Sequence, residues 1–130
     1  VAKNYLTAFQ SNKEVTGFEI LMIKGDNYEI LLDILIGGGN CIDKGHKMNV
    51  LFRDGSRLVL ENMKDFNCDQ RFYKFFDDES LDKKAIKKFI TKEIKTMEIE
   101  TYAYEGYVEV NFSSKKSKKF RKTFKCLIEH

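Results

Sequence analysis

The stretch Met48-Asn49-Val50-Leu51-Phe52-Arg53-Asp54-Gly55-Ser56-Arg57-Leu58-Val59-Leu60-Glu61 decides the fold class. Two β-rich arms, residues 48–52 and 57–60, flank Asp54-Gly55. That dipeptide is the strongest short-range hairpin signal in the chain, because a type I′ turn needs two residues with positive φ. The downstream arm alternates, with Leu58 and Leu60 on one face and Arg57, Val59 and Glu61 on the other. Strands joined by hairpins pair antiparallel, since parallel neighbours need long crossovers.

Upstream, Gly37-Gly38-Gly39-Asn40 opens a loop that runs to about Lys47. Residues 28–36 before it are apolar apart from Glu29 and Asp33, the pattern of a strand largely covered on both faces. Gly25-Asp26-Asn27 supplies a turn, and residues 15–23 supply another strand. Residues 1–14 are polar and unpatterned, so they read as a flexible lead-in to a domain over 15–130.

Downstream, residues 72–76 form a strand with Phe72, Lys74 and Phe76 on one face. Asp77-Asp78-Glu79 precede Ser80, the expected N-cap of a helix. Over residues 81–95, Leu81, Ala85, Ile86, Phe89, Ile90 and Ile94 share one helical face, and lysines cover much of the rest. Strands over 97–104 and 107–112 follow, joined at Glu105-Gly106, with Met97, Ile99, Thr101, Val108, Val110 and Phe112 on the apolar faces. Ser113 or Ser114 then caps a last helix that ends near Ile128. The expectation is a single α+β domain: a bent antiparallel sheet or sandwich, or a partly open barrel, of about seven strands, with two helices and the C-terminal one packed on the sheet.

At 130 residues, with 42% apolar and 33% charged side chains, the chain fits one domain with a real core. Its composition excludes collagen-like, proline-rich and cysteine-stapled classes, and no uncharged apolar run is long enough for a transmembrane segment. The net charge of +3 hides a split: residues 1–79 carry −3 and residues 80–130 carry +6. A basic segment attracts anionic partners, although lysines on solvated helix faces also simply keep a domain soluble. The chain opens at Val1 rather than Met, as expected of a processed or truncated product with any targeting segment upstream.

The last helix is the first candidate site. Lys115, Lys116, Lys118, Lys119, Arg121, Lys122 and Lys125 precede its first acid, Glu129, and Phe120, Phe124, Leu127 and Ile128 make the apolar stripe. Such a helix lies on an anionic surface or in an acidic groove, or else docks its stripe on its own sheet and leaves the lysines in water. Nucleic acid is not expected as a partner, since no recognised module is present and no aromatics interleave with these lysines. Tyr102, Tyr104 and Tyr107 cluster at a hairpin tip and offer either an aromatic contact patch for a protein partner or cross-strand pairing within the sheet.

Cys41, Cys68 and Cys126 contain no CxxC pair. In an oxidising compartment the expected disulfide is Cys41–Cys68, in loops flanking the central hairpin, with pairing of Cys126 to either as the alternative. In a reducing one all three are ordinary small apolar residues. Cys41, Asp43 and His46 share one loop, and each can bind a metal, but three ligands of mixed hardness lack a fourth. The glycine run lacks the Gly-Lys-Ser/Thr ending of a phosphate loop. Neither a metal nor a cofactor is therefore expected. His46 is the one non-terminal histidine, which removes most routes to a Ser-His or Cys-His pair. Glu98 and Glu100 fall on a solvated strand face, so no catalytic acid or base is assigned.

The order of elements is similar to that of a pleckstrin-homology-like barrel with an extra helix, which implies nothing about ligand. The 48–60 stretch with Phe66-Asn67-Cys68, residues 95–102, Glu105-Gly106-Tyr107-Val108-Glu109 and the Lys-rich helix ending in Cys126-Leu127 resemble small uncharacterised proteins of Bacteroidetes-type bacteria. That resemblance implies an exported or envelope protein with a cleaved N-terminal signal, and no activity. The expected function is a non-enzymatic binding or interaction module of the cell envelope, periplasmic or secreted, meeting a protein or an anionic surface. The alternatives are a small metal-dependent or hydrolase-like enzyme using the loop from Gly37 to His46, and a structural or immunity-type protein that binds one protein partner.

Overall fold

The computed structural model describes residues 2–7, 18–24, 30–77, 79–103 and 105–129, the first of these through its backbone. The described residues form β1 (Ala2–Thr7), β2 (Glu19–Lys24), β3 (Ile30–Leu35), β4 (Lys47–Phe52), β5 (Arg57–Glu61), β6 (Arg71–Phe76), α1 (Ser80–Thr91), β7 (Ile94–Glu100), β8 (Tyr107–Asn111) and α2 (Ser114–Glu129). Two four-stranded antiparallel sheets result, ordered β1-β2-β3-β6 and β5-β4-β7-β8. They do not close into a barrel. The chain is α+β, as its pattern of hairpins and amphipathic helices requires, and α2 lies against β1, β2 and β7.

Period-two alternation places one face of each sheet in a shared core. Ile20 and Met22 of β2, Ile30, Leu32 and Ile34 of β3, Met48 and Val50 of β4, and Met97 and Ile99 of β7 are all buried there. The second face of β3 is only half-covered at Leu31, Asp33 and Leu35. An aromatic seam joins the helices to the sheets. Phe89 of α1 lies 5.3 Å from Phe120 and 5.2 Å from Phe124 of α2, and Phe76 of β6 lies 5.9 Å from Phe89. Each such pair adds about 0.5–1.5 kcal/mol beyond its burial.

Several local expectations change. The hairpin of β4 and β5 has a three-residue loop rather than a type I′ turn. Phe52 N–H donates to Ser56 O, Gly55 N–H donates to Phe52 O, and φ is positive at Gly55 (90°) but not at Asp54. A type I turn followed by a left-handed glycine satisfies the same Asp-Gly sequence. Helix α1 ends at Thr91, because Lys92 takes extended backbone angles, and Ile94 pairs with Phe52 in β7 instead of extending the helical stripe. Sheet pairing of the alternating run from Ile94 onward outweighs its helical spacing. Leu81, placed on the same stripe, is 76% exposed. The N-cap of α1 is Glu79 rather than Ser80, and Asp77 N–H donates to Asp82 Oδ2. Strand β7 stops at Glu100, short of residues 101–104.

Residues Ala2–Thr7, read above as lead-in, pair with β2 as an eighth strand. Residues 8–17, the turn at Gly25-Asp26-Asn27 and Tyr104 lie outside the described residues.

Candidate functional site

Asn62 organises the surface around the central hairpin. It is buried just past the end of β5, and its amide makes four bonds to backbone. Nδ2 donates to Asp43 O and Lys64 O, while Oδ1 accepts from Lys64 N–H and Tyr73 N–H. That fully satisfies a side chain with two donors and a two-lone-pair acceptor. Asn67 does similar work one loop later, donating to Asp65 O and Arg71 O and accepting from Arg71 N–H. Between them these amides fix the loops that carry Cys41, Asp43, His46, Phe66 and Cys68.

Cys41 and Cys68 form a disulfide across a sequence separation of 27. Ile42 and Asn67 exchange backbone hydrogen bonds beside it. Closing a loop of that size is worth roughly 3–4 kcal/mol in the chain-entropy account.

Tyr102 turns onto this disulfide-bonded platform. Its N–H donates to Cys41 O at 3.0 Å, and its phenol donates to Asp43 Oδ2 at 2.8 Å. The His46 ring meets it edge-on at 4.8 Å, and Phe66 lies 6.0 Å away. Phe66 and Tyr102 are each 58% exposed, so the platform presents an aromatic face to solvent. The bond to Asp43 comes first in raising the Tyr102 phenol above its ordinary value of 10.0, with desolvation and the charge of Asp43 adding to it. Tyr102 is therefore a hydrogen-bond donor at neutral pH. Tyr107 lies on β8, paired with Glu100, and is exposed as Tyr102 is, while Tyr104 lies outside the described residues.

The loop trio of Cys41, Asp43 and His46 is divided among other tasks. The Cys41 sulfur is bonded to Cys68, His46 Nδ1 accepts from Asp43 N–H at 2.9 Å, and Asp43 accepts from Tyr102 and from Lys44 N–H. Among the described residues no group of three His, Cys, Asp or Glu side chains is placed to hold a metal.

The basic helix is docked. Phe120, Phe124 and Leu127 are buried, and Ser117 donates to Ile94 O from the same face. Of the seven basic residues, Lys115, Lys118, Lys119, Lys122 and Lys125 are exposed and Lys116 and Arg121 half-buried. Arg121 approaches Glu93 at 3.7 Å, and Lys125 approaches Glu129 at 3.9 Å. Helix α1 packs against α2 and adds exposed Lys83, Lys84 and Lys87. The two helices thus pack together, and each leaves lysines exposed. Cys126 is free and exposed beside Lys122 and Lys125.

Sequence reasoning missed Asn62, Asn67, Phe66 and the α1 lysines as parts of these surfaces. The Asn62 Oδ1 bond to Lys64 N–H is an Asx-turn, a local pattern that an asparagine after a strand can signal. No helix among the described residues is long and apolar enough to cross a membrane. No family model, curated protein or solved structure matches the chain.

Proposed function

We propose that the chain is a non-enzymatic binding module of the bacterial cell envelope that meets an anionic surface through the lysine-covered layer of α1 and α2. The observation that carries this reading is the division of labour on α2. Its apolar stripe is buried against the sheets, while Lys115, Lys118, Lys119, Lys122 and Lys125 remain exposed, as do Lys83, Lys84 and Lys87 of the packed α1. Contact through such a face is electrostatic and peripheral, worth about 1 kcal/mol per lysine near an anionic bilayer, and it decays within a Debye length. The Cys41–Cys68 disulfide supports placement in an oxidising compartment.

Vesicles with and without anionic lipid test the reading. Binding to the anionic vesicles at low salt, lost at moderate salt and in a variant carrying Lys115→Glu, Lys118→Glu and Lys122→Glu, is the expected result. Equal behaviour on neutral vesicles, or no binding at low salt, overturns it.

A second reading has its own observation. Phe66 and Tyr102 present exposed rings on loops pinned by a disulfide and by Asn62, a rigid aromatic surface suited to one protein partner. Capture of such a partner from source-cell extract, lost on Phe66→Ala, is the corresponding test.

A further inference from the structure

A groove of about 530 Å³ opens between β5, β6 and the start of α1, and its lining includes none of the lysines or aromatic residues of the two surfaces above. Four of the large apolar side chains that the fold leaves exposed line it: Val59 at 51%, Met63 at 47%, Phe75 at 43% and Leu81 at 76%. Apolar exposure gathered in one concave place marks an interaction site more often than scattered exposure does.

The groove is also an open sheet edge. β5 is the terminal strand of one sheet and β6 of the other. Ladder bonds alternate along an antiparallel pair. Phe52 N–H to Ser56 O and Asn62 N–H to His46 O fix that alternation for β5, and it turns the backbone N–H and C=O of Val59 and Glu61 away from β4. On β6, the Ile36 N–H bond to Gln70 O sets the phase, so Tyr73 and Phe75 face away from β3. Met63 N–H donates to Tyr73 O, the single backbone bond joining the two edges among the described residues. Beyond it the edges part. Phe75 N–H, the next outward group, is met only by the Met63 thioether at 3.3 Å, a weak acceptor.

Charge says what the groove prefers. Its lining carries the carboxylates of Glu61, Asp77, Glu79 and Asp82 against one ammonium, Lys74. Lys74 is ion-paired with Asp82 at 3.0 Å, so the charge facing the groove is acidic.

We propose that this groove takes an extended peptide of alternating apolar and basic side chains as an added β-strand. Its backbone pairs with the outward groups of Val59 and Glu61 or of Phe75. Its apolar side chains settle on Val59, Met63, Phe75 and Leu81, and its lysines or arginines meet Glu61, Asp77 and Glu79. Main-chain bonds supply the affinity in this mode, and the alternate side chains supply the selection.

The test uses the full chain and three synthetic peptides about seven residues long: alternating Lys and Val, alternating Glu and Val, and the Lys-Val peptide N-methylated at every second amide. The Lys-Val peptide should bind saturably, with amide shifts at Val59, Glu61 and Phe75. The other two should bind at least tenfold more weakly. Glu61→Lys with Glu79→Lys should weaken Lys-Val binding at least tenfold, and Leu81→Ser should weaken it several-fold. These side chains are exposed, so far-UV circular dichroism should be unchanged. Equal binding of the Glu-Val or N-methylated peptide overturns the proposal, as does the absence of saturable binding. A concentration-dependent dimer abolished by Leu81→Ser assigns the edge to a second copy of the chain and equally overturns it.

Discussion

The phenol of Tyr102 donates a 2.8 Å hydrogen bond to Asp43 Oδ2, tying the segment after β7 to a loop 59 residues earlier in the chain. The same tyrosine donates its N–H to Cys41 O, so one residue grips that loop by both backbone and side chain. This is the contact that stands the aromatic face of the platform upright. It also makes the phenol harder to ionise, because losing the proton breaks the bond and sets two negative charges side by side.

Tyr102 should accordingly titrate above 10.0, the ordinary tyrosine value, and Asp43→Asn should bring it back toward that value. The sign is set by the direction of the shift. A group that holds its proton more tightly when folded contributes stability below the unfolded pKa, and loses it as pH rises through the folded one. The pair therefore supports the fold through neutral pH and up to about 10. Tyrosinate absorbance of the parent minus that of Tyr102→Phe isolates the transition. A difference curve centred at or below 10 contradicts the bond.

Asn62→Ala should be the most damaging single change outside the apolar core. It removes both acceptors and donors from part-buried backbone groups at Asp43, Lys64 and Tyr73. Unsatisfied groups of this kind cost about 1–3 kcal/mol each, and water entering the gap recovers part of that, so a net loss of about 2–4 kcal/mol is expected. Asn62→Asp should be no better. It keeps the acceptor for Lys64 and Tyr73 N–H but turns two donors into a carboxylate oxygen facing carbonyls. Urea unfolding of the two variants measures this. A loss under about 0.5 kcal/mol for either, the scale of an ordinary surface change, would show that the amide is not the organising group.

Asn62 also shows where the sequence stops being readable. The strands and their inward faces follow from period-two alternation, which needs only neighbours in the chain. Met48 and Val50, Met97 and Ile99, and Val108 and Val110 are buried as that pattern demands. The capture of Ile94 by a strand rather than by the helix before it depends on its partner Phe52, 42 positions away, and on the Leu51/Phe52 irregularity in the register. The same limit applies to the site. The run of lysines on α2 is visible in the chain, but that the lysine-bearing α1 packs on it follows only from Phe89 meeting Phe120 and Phe124. Tyr102 is set on the polar face of a strand by alternation, yet it leaves the strand because Asp43 and Cys41 offer it bonds that a strand position would not. The groove between β5 and β6 belongs to two different sheets, and no local pattern announces it.

The disulfide gives a prediction that bears on compartment as well as stability. Alkylation of denatured, unreduced protein should label one cysteine, Cys126, and alkylation after reduction should label three. Replacing Cys41 and Cys68 together by alanine should lower stability by roughly 3–4 kcal/mol and loosen the Tyr102 platform first, since Cys41 O accepts from Tyr102 N–H. Labelling of all three cysteines in protein taken unreduced from its source would contradict both the bond and the envelope placement.

Phe124→Ala tests the seam that seats the basic helix. Phe124 is fully buried and contacts Phe76, Phe89 and Phe120 at 5.8, 5.2 and 6.0 Å. Truncating a buried phenylalanine costs about 3–5 kcal/mol, part transfer and part cavity. If α2 were only laid on the surface, the loss would be near 1 kcal/mol, as for a half-exposed side chain. The same variant separates docking from charge. Where the protein remains folded, its lysines are unaltered, so anionic-vesicle binding should persist while the unfolding midpoint falls.

Acid should unfold the protein from two carboxylates of unequal weight. Burial would raise the Asp82 carboxyl, but the Asp77 N–H and the Lys74 ammonium outweigh it and hold it below the ordinary 3.8. Asp54 is also held well below that value, first by its hydrogen bond from Lys92 and then by the Ser56 hydroxyl and N–H. A lowered folded pKa contributes stability above the unfolded value, and that contribution disappears as pH falls through the folded one. Stability should thus be level between about pH 7 and 5 and fall below about 4. The side chains of the Asp82–Lys74 pair are 13% and 17% exposed, whereas those of Asp54–Lys92 are 49% and 31% exposed. Water and salt screen the second pair far more than the first. Asp82→Asn should therefore flatten the acid limb of the stability curve more than Asp54→Asn does, and added salt should shrink the Asp54 effect first. Urea midpoints at several pH values for the two variants decide it, and a larger change from Asp54→Asn would reverse the assignment.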